Sequence, residues 1–371
     1  MRWFSFLLPL LWLTGCAPPP SDPPPAFLSR QEFAATIEAL SEPPGFFDSD
    51  NFVSNEAAYL HVVARMRDIG VHGGVYIGVG PDQNFTYIAK IQPKYAFILD
   101  IRRDNMLEHL LFKALFEMAD TRQAYLSRLF SKPIPSSGAF PPHASIADLV
   151  AFFDRVEGDE AYYQENLAEI KRRIPGYGIP LTEPDLQKIA HAYRAFFTHH
   201  LDLQWEYRSD GTRGIPFIPY RDFLLGTDRE GRYGNFLHSD EEFAYIRSME
   251  ARNLIIPVTG DFAGTRALRA IGAYIRSRGD HVSAFYLSNV EYYLVPDGRM
   301  NAFAANVHAL PIADHSVLIR AFVNLRDQPH PLRVDGHLMT TVLQYIRSFN
   351  TLYAEGRYKT YFDTGTADFL Q

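Results

Sequence analysis

Gly73-Gly74-Val75-Tyr76-Ile77-Gly78-Val79-Gly80-Pro81-Asp82-Gln83-Asn84 leads, past residues 85–92 and Pro93, to Tyr95-Ala96-Phe97-Ile98-Leu99-Asp100. Short β-branched and aromatic runs bounded by glycine and proline read as buried strands. The residues between them read as a turn over 78–84 and a short helix over 85–92, stopped by Pro93. Strand, helix, strand in that space is a right-handed crossover unit, and it implies a parallel sheet covered by helices.

The same alternation runs outward. Residues 106–118 carry an apolar helical stripe. Ser239 with Glu242 forms a capping box opening a helix to about Ala251. Residues 253–258 then read as a third strand, 267–275 as a helix closed by Gly279, and 282–287 as a fourth strand. A further strand is expected at 317–323, and a final helix over 338–353. Upstream, Ser29 with Glu32 caps a helix to Leu40, and Ser54 is expected to cap a helix reaching Gly70. Between the halves, 132–143 is rich in Pro, Ser and Gly, and helices are expected near 146–155 and 183–197. The fold class is therefore α/β: a mostly parallel sheet, helices on both faces, and a large helical insertion between the second and third strands.

The start of the chain reads differently. Arg2 precedes an apolar run of about 11 residues (3–13), too short to span a bilayer core that needs about 20. It ends in Leu13-Thr14-Gly15-Cys16, and Cys16 is the only cysteine. This string resembles the lipobox of bacterial lipoproteins, in which the cysteine is acylated after cleavage. Residues 17–25 contain six prolines and read as a stiff extended tether. Ala17, rather than Asp, follows the cysteine, and by the same resemblance this implies the outer membrane of a Gram-negative cell. The organisation expected is a signal peptide (1–15), a tether (16–28), a first sheet segment with N-terminal helices (29–119), a helical insertion (120–238) and a second sheet segment with a C-terminal helix (239–371).

Composition narrows the function. Apolar residues make up 47% of 371, enough for a real core, and Cys16 being alone leaves no disulfide. A formal charge of −7 without a basic run argues against nucleic-acid binding. Adjacent His199 and His200 point in different directions on a helix, so no metal is expected there.

Ligands of open α/β sheets bind beyond the carboxyl ends of the strands. Four spots fall there: the Gly78–Asn84 loop, Asp100 twenty residues beyond Gly80, Asp261 after the third strand, and Ser288-Asn289-Val290-Glu291 after the fourth. Glycines let a ligand approach the backbone, and a helix N-terminus offers free N–H groups. At these residues the chain resembles the Rossmann-like fold of class I S-adenosylmethionine-dependent methyltransferases. The resemblance implies a cofactor site of Gly78, Gly80, Asp82 and Asn84 in the loop, Asp100 on the ribose hydroxyls and Asp261 on the adenine amino group. Asn289 and Glu291 fall where that family places substrate or catalytic groups. Glu56, near the start of the preceding helix, is a further candidate that closes over a ligand. The loop departs from the pattern: Gln83 replaces a third small residue, and an Asp82 carboxylate repels a pyrophosphate but suits a sulfonium or ammonium group. GVGPDQNFTYIA (78–89) and DIRR (100–103) are also similar to a bacterial family without assigned activity, some of whose members are lipoproteins; that similarity spans most of 54–295.

Each candidate has a structural alternative. The glycines can serve tight strand–helix packing, Asp100 can pair with Arg102 or Arg103, and Asp261 can cap the helix that follows. Two functions stay open: a lipid-anchored methyltransferase acting on an unknown acceptor, and a lipoprotein that binds a nucleotide-like molecule or a surface partner without catalysis. An exported location favours the second, because S-adenosylmethionine is a cytoplasmic metabolite.

Overall fold

The structure, a computed structural model, describes residues 27–135, 140–141, 143–206 and 217–370. The expected signal peptide, Cys16 and most of the tether lie outside the described residues, as do 136–139 and 142 of the expected boundary at 132–143.

In chain order the elements are α1 (Arg30–Leu40), α2 (Val63–Asp68), β1 (Val75–Gly78), α3 (Gln83–Ile91), β2 (Tyr95–Asp100), α4 (Arg103–Met118) and α5 (Arg122–Phe130). Then come α6 (Ile146–Arg155), α7 (Glu160–Arg173), α8 (Glu183–His199), α9 (Tyr220–Leu224) and α10 (Asp240–Ala251). The second half holds β3 (Ile255–Thr259), α11 (Ala267–Ser277), β4 (Val282–Ser288), α12 (Val290–Leu294), α13 (Met300–His308), β5 (Ile312–Val323), β6 (Met339–Tyr345), α14 (Ile346–Ala354) and α15 (Tyr361–Thr366).

The strands form one sheet in the order β3-β2-β1-β4-β5-β6, all parallel except β6. This is the order of doubly wound Rossmann-like sheets, and the connections reverse direction between β1 and β4. Every residue of β1, β2 and β3 is buried, which is why these strands read as unbroken apolar runs instead of alternating ones. Helices α3 and α4 cover one face; α11, α13 and α14 cover the other. The insertion packs on the outer side of α4 through α5, α7 and α8, and reaches the carboxyl edge of the sheet through Tyr220 of α9.

Two expectations fail. Residues 339–345 are not the start of the final helix but β6, paired antiparallel from Val323↔Met339 to Val317↔Tyr345. Met339, Val342, Leu343 and Ile346 match a helical stripe by spacing. The unpaired edge of β5 is the stronger determinant, and the helix begins only at Ile346. Ser54 does not cap a helix either; helical structure starts at Tyr59, and the Ser54 hydroxyl is drawn to Gln83 and to the Glu56 N–H. The sequence also left α5, α7, α9, α12 and α13 unread. Among the described residues no helix is long and apolar enough to cross a membrane.

Candidate functional site

Beyond the carboxyl ends of β1, β2, β3 and β4 lies a cleft of about 410 Å³, within the roughly 300–1,000 Å³ typical of small-molecule sites. Gly80, Asp100, Asp261 and Asn289 all line it, although up to 209 residues of chain separate them. The sheet order puts their strands side by side. Glu56 lines it too.

Gly80 has φ +81°, a conformation that favours glycine, and a Cβ there meets nothing nearer than Asn51 Nδ2 at 3.9 Å. The space a side chain would take belongs to the cleft. The loop is held from behind. Asn84 Nδ2 donates to the carbonyls of Val79 (2.9 Å), Gly80 (3.1 Å) and Pro81 (2.7 Å), while its Oδ1 accepts from the Tyr76 hydroxyl at 2.8 Å. His109 Nε2 donates to Gly80 O at 2.9 Å; burial pushes this imidazole down to about 4, so it is neutral at pH 7. Asn84 is thus a clamp within the protein. Gly78 is close packing of the same clamp, since a Cβ there would lie 2.0 Å from Asn84 Oδ1.

Asp100 ends β2 with its carboxylate shared between the Arg102 N–H (2.8 Å) and the Arg102 guanidinium (3.2 Å). The pairing anticipated from the sequence exists, but both partners are buried and both line the cleft. Arg103 turns instead to Asp185. Asp261 accepts from the Ala263 N–H at 2.8 Å and pairs with Arg299 at 2.6 Å. It does not cap α11. That task falls to Glu42, whose carboxylate accepts from the N–H groups of Asp261 (2.8 Å), Arg266 (3.2 Å) and Ala267 (3.2 Å). A charge from more than 200 residues upstream thus sits at the helix start and fixes the Asp261 backbone, a role no local motif announces.

Glu56 is buried in the cleft floor. Its Oε1 accepts from the hydroxyls of Tyr286 and Ser288, each at 2.5 Å, and its Oε2 accepts from Gln83 Nε2 at 2.9 Å. Burial raises its pKa, and these three donors oppose the rise. It is a fixed part of the floor, not a gate. Ser288 reaches it from a left-handed backbone, φ +50°.

Besides Gly78 and Asn84, two more candidates lie outside the cleft lining. Asp82 is fully buried and turned away from the cleft; its Oδ2 accepts from the Tyr220 hydroxyl at 2.5 Å. It is not positioned to meet a sulfonium or ammonium group in the cleft. Glu291 is buried against Arg320 of β5 at 2.6 Å and does not line the cleft.

Sequence reasoning missed the strap between α1 and α2. Its Phe46, Phe47, Asp48 and Asn51 line the cleft, and the Gly45 N–H to Ile101 carbonyl bond (2.9 Å) ties it to the sheet. Pro43-Pro44-Gly45 is enough to read 42–54 as a loop, but not to say where that loop goes. Of the tyrosines in and after β4, Tyr286 and Tyr293 line the cleft, whereas Tyr292 packs edge-on against Tyr361. Among the described residues, the charged lining comprises the carboxyls Asp48, Glu56, Asp100, Asp261 and Asp297 and the cations Arg102 and Arg299. Among the described residues, no three His, Cys, Asp or Glu side chains are grouped to hold a metal ion.

A family model described as a domain of unknown function, DUF7790, matches residues 51–134 and 207–364. The two spans carry both halves of the cleft, with Gly80 and Asp100 in the first and Asp261 and Asn289 in the second. No curated protein matches the chain.

Proposed function

This chain belongs to the DUF7790 family, and on that premise we propose that its cleft binds S-adenosylmethionine and supports methyl transfer to an acceptor. The observation that carries the reading is the meeting of Gly80, Asp100 and Asp261 in one cleft with more carboxylates than cations. Both guanidiniums are already engaged, Arg102 by Asp100 and Arg299 by Asp261. Among the described residues of the lining, five carboxyl groups stand against two arginines, so a nucleoside with a cationic tail is a better electrostatic match than a dinucleotide with its two phosphate charges.

In this reading the Asp100 carboxylate, oriented by Arg102, accepts from the ribose hydroxyls. Asp261 accepts from the adenine amino group, and the bare Gly80 backbone lets the ligand approach closely. The bound cofactor supplies an electrophilic methyl carbon. The protein's part is to position the partners and exclude water, which requires no strong acid or base. Asn289 stands on the acceptor side. Glu56, fully hydrogen-bonded, shapes the floor.

That full engagement of Glu56 favours a second reading, a ligand-binding protein without catalysis. A nucleoside site, catalytic or not, predicts that S-adenosylmethionine and S-adenosylhomocysteine at 100 times their dissociation constants stabilise the protein by about 2.7 kcal/mol, that NAD does not, and that Asp100→Ala abolishes the shift. Well-folded protein that ignores both ligands sinks the nucleoside site. Appearance of S-adenosylhomocysteine in the presence of an acceptor separates the enzyme from the binder.

The sequence up to residue 25 supports a lipid-anchored location, acylated at Cys16 and held off an outer-membrane surface by the proline tether. Radiolabelled palmitate should enter the protein, and Cys16→Ser should remove the label; a labelled Cys16→Ser variant would refute the anchor.

A further inference from the structure

A second cavity, of about 270 Å³, opens beside β6, where α2 and the turn before it meet the 228–230 loop. It shares no lining residue with the cleft. Three side chains of its lining each carry an enclosed polar atom without a hydrogen-bond partner: His61 Nδ1, Arg65 Nε and Thr341 Oγ1. Thr341 is only 2% exposed. Buried polar atoms are normally hydrogen-bonded, so three such atoms around one hollow point to a ligand there.

Charge decides what kind. A water molecule answers hydrogen bonds but brings no charge. Two arginines of the lining have no carboxylate partner among the described residues: Arg65, and Arg229, which donates to the Leu332 carbonyl at 3.4 Å. The three carboxyls of the lining are held by arginines outside it, Asp68 by Arg67 at 3.2 Å, and Asp228 and Glu230 by Arg232 at 2.9 and 2.8 Å. Four arginines thus stand against three carboxyls, and the two without a carboxylate are the two that line the cavity. Burial and the nearby Arg229 guanidinium push the His61 imidazole down to about 4, so at pH 7 it is neutral and still has one N–H to give. The donors come from three separate elements: α2 with its preceding turn, the 228–230 loop and β6. That spread suits the oxygens of a tetrahedral anion better than the two coplanar oxygens of a carboxylate.

We propose that this cavity binds a phosphate group, with Arg65, Arg229, His61 and Thr341 as its donors. The proposal does not depend on what the cleft binds.

Inorganic phosphate tests it, titrated calorimetrically at constant ionic strength because exposed charges are screened by salt. It should bind saturably and at least tenfold more tightly than acetate. Arg65→Gln should weaken phosphate at least tenfold. Thr341→Val, which keeps the shape and loses the hydroxyl, should weaken it several-fold. In the wild-type protein the NMR signals of the His61 ring should shift along the same saturation curve, a readout that needs no variant to fold. The site is overturned if phosphate does not bind saturably, if acetate binds as tightly, or if Arg65→Gln keeps wild-type affinity. Phosphate binding that leaves His61 unmoved overturns it too, because the ion then sits elsewhere. None of these results touches the nucleoside reading of the cleft.

Discussion

Glu291→Ala should lower the unfolding free energy by about 3–5 kcal/mol, the cost of leaving a buried charge without its partner. Arg320 lies in the middle of β5 with its side chain almost wholly enclosed, and its Nε donates to Glu291 Oε2 at 2.6 Å. Its Nη1 donates to Gln344 of β6 at 2.8 Å, and its guanidinium stands over the Phe349 ring at 5.2 Å. Neither contact neutralises it. Removing the carboxylate strands a guanidinium between the sheet and α14, whereas Glu291→Gln keeps an acceptor and should cost less. Urea denaturation of the three proteins measures both differences. The variant also tests the residue's role. A Glu291→Ala protein as stable as wild type, but unable to turn over an acceptor, would restore Glu291 to the catalytic group from which its position removes it.

Asp82 carries the second large effect, visible through pH. Burial pushes its carboxyl up from 3.8 to about 7, against the opposing Tyr220 hydrogen bond, and its Oδ1 has no hydrogen-bond partner. Between pH 3.8 and 7 the folded protein therefore holds a proton that the unfolded chain has released. Protonation favours the folded state, so this contribution is fully present below pH 3.8. It is lost as pH rises through 7. From pH 5 to pH 8 the stability lost through Asp82 alone is about 2–3 kcal/mol. Asp82→Asn cannot ionise, so its stability should fall by that much less over the same interval, whatever its offset at pH 5 from an unpaired amide. Denaturant midpoints of both proteins at the two pH values give the comparison. Parallel pH profiles would mean that Asp82 is ionised throughout. Glu250, buried near Lys113 and also raised to about 7, titrates in both proteins and cancels in the difference.

Both predictions concern residues that resemblance assigned to the functional site and that the fold uses elsewhere. Asp82 follows Pro81 in a glycine loop and Glu291 follows a strand end, so linear position alone suggests a ligand. Which way a side chain turns at such a point depends on a hydroxyl from α9 and a guanidinium from β5, and neither is near in sequence. Gly80, Asp100, Asp261 and Asn289 were legible because each stands at the end of a strand that sequence pattern identifies, and parallel strands carry all such ends to one edge. The strap, Glu42 and Arg299 were not legible. They act through contacts across dozens to hundreds of residues, and their local sequence reads as ordinary loop or surface charge.

From the amino-acid order alone came the strand–helix alternation from β1 to β4, the capping box at Ser29, the N-cap at Ser239 (whose Glu242 turns to Lys90 instead of closing the box), the insertion after the second strand, and the strand ends that border the cleft. These are set by short-range preferences and by the handedness of crossovers, which the chain carries wherever it folds. Tertiary structure alone decided that 339–345 pairs with β5 instead of beginning a helix, that Glu42 caps α11, and that Asp82 and Glu291 face inward while Glu56 and the strap form the cleft. Those outcomes depend on which unpaired strand edge, exposed amide or buried charge is left to satisfy once the sheet has formed, and only the assembled molecule defines that demand.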